Sequence, residues 1–406
     1  MGHTQSSFWT VVLIAAIVEF YSLLPERNQD LSLSSSTQKS DRVQGIIHVH
    51  STFSDGGGTP EEIAKAAHQA GHDFVILTDH NNDEARKKGF EKKYEGTDLW
   101  VEMESSTPVG HAVSFFSNSE KLRNVGAERV VQATYRNFSK SESDPDLFWS
   151  IAHPSNIKNP WSRLDEFGPG WEVVNFDSSW QRQFSEQPFK FLLTVGVYPF
   201  NEYLSALRFL ETYPKDFVAW DEMTRRGPGH FAYLAHDTHS KVKLNQTESL
   251  NWPGYLQTFK MASNVVFLKS PKSGDFETRK KQVYEGLREG RLAVLYQIVA
   301  PFDGNDWRID CDGKTFTVGD SVSFKESCEA VITTPVTPFV KVVRLVKNGE
   351  IIREVVVEPG SKSPLRVPLK GAGTYRLEVL AQKHTALRIL LNRLVPYVFY
   401  NPIYLQ

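Results

Sequence analysis

The chain has 406 residues, 40% hydrophobic and 12% aromatic, enough for a large core and for more than one domain. Its 46 basic and 48 acidic residues leave a net charge of −2, so there is no electrostatic reason to expect a nucleic-acid backbone as partner. An anionic substrate would have to be held by a local site.

In chain order, Phe8 to Val18 forms the first distinct segment, eleven residues without a charge. Glu19 interrupts it and FYSLLP follows. A spanning helix needs about 20 apolar residues and the core of an export signal about 7–15. Residues 1–24 therefore read as a signal peptide or as a retained membrane anchor tethering the chain through residues 8–24. No Lys or Arg precedes the run and no small-residue cleavage site closes it, so both readings stand, beside that of a segment unconnected with export. Residues 25–44 read as a polar linker. The expected location is outside the cytoplasm: periplasmic, extracellular or membrane-anchored.

From residue 45 to 297 short apolar runs alternate with helix-like stretches. IIHVH (46–50) is a strand ending in histidines. TPEEIAKAAHQAG (59–71) carries helix punctuation: Thr59 as N-cap, Pro60 at the first helical position, Glu62 closing a capping box and Gly71 at the C-terminal end. DFVILTDH (73–80) is the next strand, and strand–helix–strand predicts parallel pairing. Further strands are expected at LWVEME (99–104), HAVSFF (111–116), FWSIAHP (148–154), WEVVNF (171–176), FLLTVGV (191–197), FAYLAHD (231–237) and NVVFLK (264–269), with a helix at 279–291. About 250 residues of this kind is the size of one α/β barrel. Residues 300–406 differ. KVVRLVKNGEIIREVVVEPG (341–360) predicts a hairpin turning at Asn348-Gly349, and two later runs complete a small antiparallel β-sandwich. Cys311 and Cys328, the only cysteines, bracket two short strands around a Gly-Asp turn. In an exported chain a disulfide would close that hairpin; otherwise the pair is reduced.

Side chains two apart on a strand share a face, so His48 and His50 point together at a strand's C-terminal end, where barrel enzymes place their chemistry. Asp55 follows in a glycine-rich loop. His80 ends VILTDH, Glu104 ends LWVEME, His111 opens the next strand, His153 ends SIAH, and Asp237 and His239 end LAHDTH. Imidazole and carboxylate donors without thiolate suit two or three divalent Mn, Zn or Fe ions, because nine ligands exceed the four to six or so that one ion takes. A bridging carboxylate such as Glu104 would hold the ions together.

The segments HVHSTFSDG, VILTDHN, ESSTPVGH, IAHP and HDTH resemble the polymerase and histidinol phosphatase (PHP) family of metal-dependent phosphoesterases. LREGRLAVLY resembles a late motif of the same family, and the C-terminal strands resemble those of its exported branch. The resemblance implies a distorted (β/α)7 TIM-like barrel with metal ligands at His48, His50, Asp55, His80, Glu104, His111, His153, Asp237 and His239. Asp55, Glu104 and Asp237 are its catalytic carboxylates. His236 stands where the family often has Gly or Ser, and Met103 or Glu102 replaces a glycine near the bridging glutamate.

The expected function is hydrolysis of a small-molecule phosphoester by a hydroxide bridging two or three metal ions. Carbamate, ester or amide hydrolysis on the same site is the first alternative, and a secreted binding protein with a structural metal centre is the second. A proofreading module fits poorly with the leader and the near-neutral charge. Other residues read as supports: His236 packed away from the ligands, Asp79 either orienting a ligand or capping a turn, Glu172 and Asn175 beside the mouth. Glu102 competes with Glu104 for the ligand role. His68, His72 and His230 read as structural or exposed. Lys158, Arg163, Arg225 and Arg226 are phosphate-binding candidates no different in pattern from surface charge.

Overall fold

The apolar runs form strands wherever both faces can be covered. In this computed structural model, which describes residues 2–24, 41–116, 147–162, 168–243, 249–361 and 365–406, β1 (Arg42–Ile47) pairs in parallel with β2 (Phe74–Leu77). All four residues of β2 are buried, as a strand sandwiched on both faces requires. The helix Pro60–Gln69 connects the two strands. The Thr59 side chain accepts from the Glu62 N–H and the Glu62 carboxylate from the Thr59 N–H, so the capping box closes as expected. Ile63, Ala64, Ala66 and Ala67 are its buried face, and Gly71, at φ 80°, turns the chain out of it.

LWVEME is two strands rather than one. After β3 (Lys92–Tyr94), β4 (Thr97–Val101) pairs in parallel with β2, the chain breaks at Glu102, and β5 (Met103–Thr107) enters a second sheet. The break is held by buried ionic contacts of Glu102 with Lys280 at 3.1 Å and Arg86 at 3.5 Å, and by the Tyr284 hydroxyl at 2.7 Å. The second sheet runs β5, β6 (Gly110–Phe116), β7 (Leu147–Ile151), β8 (Gly170–Asn175), β9 (Phe231–Ala235), its last three strands parallel.

FLLTVGV, expected as a strand, is helical. It belongs to the helix Pro188–Val197, which lies among Phe176–Glu186, Glu202–Phe209 and Pro214–Thr224. A short apolar run cannot be told from a helix face by periodicity alone. Pro188 starts this helix, and Phe191, Thr194 and Val197 are buried at helical spacing while Phe189, Leu192 and Leu193 are exposed.

Beyond a short pair, β10 (Val242–Lys243) and β11 (Ser249–Leu250), β12 (Ser263–Phe267) lies antiparallel to β1 and β13 (Leu292–Leu295) antiparallel to β12. The expected late helix is present as Phe276–Arg288. The two sheets are stitched at one end by isolated bridges between Val49 and Thr238 and between His80 and Glu104. The Asp237 N–H donates to the His48 carbonyl at 2.7 Å and the Asn81 N–H to the Glu104 carbonyl at 2.9 Å. These bonds gather the C-terminal ends of β1, β2 and β9 and the start of β5.

The C-terminal region is built of β-strands. Asp306–Cys311, Lys314–Thr317, Glu329–Thr333 and Leu365–Pro368 form a four-stranded antiparallel sheet. The hairpin Lys341–Lys347 to Glu350–Val357 turns at Asn348 and Gly349, both at positive φ (52° and 88°), as a type I′ turn demands. Its strand Lys341–Lys347 pairs with Gly373–His384, which pairs with Asn392–Tyr400, which in turn pairs with β13. One sheet therefore runs across the boundary expected near residue 300. The hairpin expected between the cysteines is absent: Lys314–Thr317 pairs with Asp306–Cys311, and Ser321–Val322 with Ile403–Leu405. Cys311 and Cys328 are nevertheless joined, binding two neighbouring strands of the four-stranded sheet.

The leader forms the helix Gly2–Tyr21, and among the described residues no helix is long and apolar enough to cross a membrane. The polar linker expected at 25–44 falls mostly outside the described residues.

Closing a loop of 17 residues by a disulfide restricts the unfolded chain by about 3 kcal/mol. Replacing both cysteines by serine should lower the free energy of unfolding by about that amount, read from the denaturant midpoint. An unchanged midpoint would show that the bridge adds nothing to the fold.

Candidate metal centre

The nine side chains converge at the stitched end of the sheets, around Glu104. Its Oε2 lies 3.2 Å from His48 Nε2, 3.2 Å from His50 Nε2 and 3.1 Å from His80 Nδ1. Its Oε1 lies 2.8 Å from His153 Nε2 and 2.9 Å from His111 Nδ1. Five imidazoles thus surround one fully buried carboxylate. Asp237 Oδ1 closes the inner side at 3.2 Å from His50 and 3.4 Å from His48. Asp55 stands at the solvent edge, 3.3 Å from His239 Nε2 and 3.7 Å from both His50 and His80.

Three overlapping donor sets result, with the donor atoms in each within 4.8 Å of one another: His48, His50, Glu104 and Asp237; His50, Asp55, His80 and His239; His80, Glu104 and His111. His153 adjoins them through Glu104. Buried His50 Nδ1 and His153 Nδ1 have no hydrogen-bond partner, and Glu104 Oε2 meets its three imidazole nitrogens without hydrogen-bond geometry. Buried polar atoms are rarely left so. Orphaned donors of this chemistry, crowded together, fit divalent cations of the Mn, Zn or Fe type.

The strand pleat does not account for this convergence. β1 ends at Ile47, and His48 takes φ 69°; His153 and Asp237 also have positive φ, 30° and 47°. Each follows the end of a strand and is turned inward by a left-handed residue without the freedom of glycine. Such conformations cost of order 1–3 kcal/mol and persist where surrounding bonds over-determine them. Here the ties between Asp237 and His48 do so, as does the bond from the His153 N–H to Glu172 Oε2 at 2.6 Å. The loop carrying Asp55 is fixed by Asp79, which accepts from the Ser51 N–H at 2.8 Å and the Ser51 hydroxyl at 2.6 Å, and by the Gly57 N–H on the His239 carbonyl at 2.7 Å. A Cβ at Gly57 would come within 2.6 Å of the Ser240 carbonyl oxygen, so only glycine fits there.

Electrostatics follow from burial against charge. Burial works to raise the Glu104 pKa, but His48, His111 and His153 hold it well below the usual carboxylate range. Asp237 is likewise held well below its ordinary value, against burial, by His48, His50 and His239. Burial favours neutral imidazoles, yet the carboxylates overcome it: Glu172, Asp237 and Glu104 raise His48, Asp237 and Glu104 push His50 to about 10, and Glu104 pushes His153 to about 9. For His80 burial wins and its pKa falls. The carboxylates demand positive charge, from imidazolium protons or from bound cations.

Glu172 has a larger role than the sequence suggested. Its Oε1 meets His48 Nδ1 at 2.6 Å and accepts from the Tyr233 hydroxyl at 2.9 Å; its Oε2 accepts from Asn175 Nδ2 at 2.9 Å. It therefore fixes the His48 ring with Nε2 directed at the centre. Asn175 also donates to Asp237 Oδ2 at 3.1 Å. The clue in the sequence was the alternation of Glu172 with Val173 on a strand ending beside the mouth. Asp79 holds the Ser51 loop rather than a ligand, and Glu102 lies away from the centre with Arg86 and Lys280. His236 faces outward onto the Ala262 carbonyl at 3.0 Å, burial holding it neutral with a pKa near 3. His72 is buried against the Phe259 carbonyl at 2.9 Å. Arg225 and Arg226 precede the opposite end of β9, Lys158 is exposed, and Arg163 lies outside the described residues.

Residues 47–142 match the PHP domain. The match runs from the last residue of β1 through β6 and includes His48, His50, Asp55, His80, Glu104 and His111. The chain is also similar, at 15% identity and a TM-score of 0.38, to a two-domain protein from Bacteroides vulgatus containing a predicted PHP-like metal-dependent phosphoesterase; 89% of this chain and 95% of that one are covered. A candidate metal-dependent phosphoesterase from Bifidobacterium adolescentis is similar at 16% identity and a TM-score of 0.26, over 53% of this chain and 94% of that one. No curated protein matches.

Removing an orienting partner of a metal-binding histidine typically weakens the metal about 10–100-fold. Glu172→Gln should do so in a titration against a competing chelator, and unchanged affinity would remove the orienting role. Because His50 and His153 hold protons at neutral pH in the ion-free centre, with pKa values of about 10 and about 9, metal uptake at pH 7 should release protons into a weakly buffered dye solution. Uptake without release would contradict this electrostatic picture.

Proposed function

We propose that the chain is a metal-dependent hydrolase of phosphoesters, with residues 45–297 as a distorted (β/α)7 barrel and 300–406 as a β-sandwich. The observation that carries the reading is the meeting of five imidazoles on the buried Glu104 carboxylate, with Asp237 beside them. The bridges joining the two sheets at Val49 and His80 support a closed barrel. The match at 47–142 supports the PHP family.

Two or three divalent ions held there would supply a hydroxide at neutral pH and neutralise charge on the phosphoryl oxygens. Glu104 is the carboxylate shared between donor sets, and Asp237 with His48, His50 and Glu104 would hold one of the ions. Asp55, 52% exposed, and His239 form the edge where substrate meets the centre. Glu172 keeps His48 in the tautomer that presents Nε2 inward.

We also propose that residues 8–24 tether the protein to a membrane surface outside the cytoplasm. The disulfide supports an oxidising compartment. Phe8, Trp9, Val11, Leu13, Ile14 and Ile17 are exposed around the helix, so it is apolar on every side rather than along one stripe. A helix apolar all round is covered either by a protein core or by hydrocarbon, and the exposure of these side chains on the folded body supports hydrocarbon.

His48→Ala, Asp237→Ala and Glu104→Gln should each lose metal and at least about 100-fold in phosphoester turnover, measured with ion content determined on the same samples. Full metal loading with wild type and variants equally inert would end the enzymatic reading. In flotation with anionic vesicles the full chain should rise with the lipid, and Leu13→Lys with Ile14→Lys should stay below. Equal behaviour of the two would end the tether reading.

A further inference from the structure

The metal centre opens sideways into an open-mouthed cavity of about 200 Å³. One wall is Asp237 and His239 themselves; the others are Trp180, Tyr198, Phe209 and Trp252. These four aromatics form one chain of contacts. Trp180 meets Trp252 at 5.2 Å and Phe209 at 5.5 Å between ring centroids, and Tyr198 meets Trp252 at 5.5 Å. All four are half-buried, with ring surface left facing the cavity. Of the charged side chains besides the ligands at its edge, Asp177 and Glu202 are acidic and Lys241 basic.

A phosphoryl group bound at the centre carries the substrate's negative charge. The remainder of the molecule must then lie along the cavity, the space that adjoins His239. Aromatic walls gain from covering by apolar surface, and two acidic side chains disfavour a second anionic group. Resting on the phosphoester reading above, we infer that the substrate is a phosphoester of an apolar alcohol, alkyl or aryl, whose hydrocarbon part occupies the Trp180–Trp252 cavity. Hydrolysis bonds a water oxygen to phosphorus and breaks the P–O bond to that alcohol, which leaves with a proton from the water. Neither redox partner nor co-substrate is required.

The test compares alkyl phosphates of equal leaving-group chemistry on the metal-loaded full chain. Octyl phosphate should exceed ethyl phosphate in kcat/KM by about tenfold to a hundredfold, mainly through KM. Trp180→Ala and Trp252→Ala should erase that preference, octyl phosphate falling to the level of ethyl phosphate, and Trp180→Phe should restore most of it. Binding is read separately, by tryptophan fluorescence with octylphosphonate and ethylphosphonate, which cannot be hydrolysed. Tighter octylphosphonate binding that Trp180→Ala removes, with no ester hydrolysed, keeps the cavity assignment and rejects the phosphoesterase reading. Hydrolysis or binding that is indifferent to chain length in wild type and variants overturns the assignment.

Discussion

A fully buried carboxylate must be compensated, and the geometry of this protein is arranged around that need at Glu104. Removing a carboxylate from water costs several kcal/mol unless charge and hydrogen bonds replace the solvent. Glu104 is met by five imidazoles, and Asp237 and Glu172, also buried, stand within the same cluster. Neutral imidazoles cannot balance so many negative charges. Without ions the balance falls to protons on His48, His50 and His153; with divalent cations those protons leave and the same nitrogens become ligands. The cluster is thus a site whose electrostatics require cations of one kind or the other.

Backbone strain is consistent with that priority. His48, His153 and Asp237 occupy the left-handed region, where a strand would ordinarily have ended on glycine or asparagine. Each substitution of glycine there would relieve the backbone and remove a donor. The surrounding hydrogen bonds from Glu172 and between the ends of β1 and β9 hold these turns in place. The support reaches outward through Asn175 and Tyr233, so the centre is fixed by strand ends rather than by loops alone.

Much of the arrangement was legible in the sequence because donors placed at strand ends leave a local signature. The capping box at Thr59, the turn at Asn348-Gly349 and the strand ends carrying His80 and Asp237 depend only on neighbours in the chain. What was not legible depends on distant packing. The split of LWVEME at Glu102 is held by Lys280 and Tyr284, some 180 residues away, and the pairing of β13 with Asn392–Tyr400 joins residues more than 100 apart, Leu295 with Val398 and Ala293 with Tyr400. Glu19 is similar. In the sequence it only interrupts an apolar run. In the fold it accepts from the N–H groups of Leu387, Ile389 and Leu390 and from the Thr385 hydroxyl, which outweigh burial and keep it ionised. The charge that breaks the leader's hydrophobicity fastens the leader to the folded body.

The segment misread as a strand bears most directly on substrate choice. Had FLLTVGV joined the sheet beside β8, its side chains would have been spent on strand packing and no separate layer would lie over Asp237 and His239. As the helix Pro188–Val197, with its neighbours Phe176–Glu186 and Glu202–Phe209, it stands off the sheet and leaves a cavity at the metal centre's edge. The face it turns inward supplies Thr194 and Tyr198 to that cavity, while Phe189, Leu192 and Leu193 face outward into solvent. A helix apolar on both sides is costly in water unless each side meets a partner. One side has the aromatic cavity. Beyond its C-terminal end Phe200 lies 5.7 Å from Phe20 of the leader, so the leader packs against this helical layer.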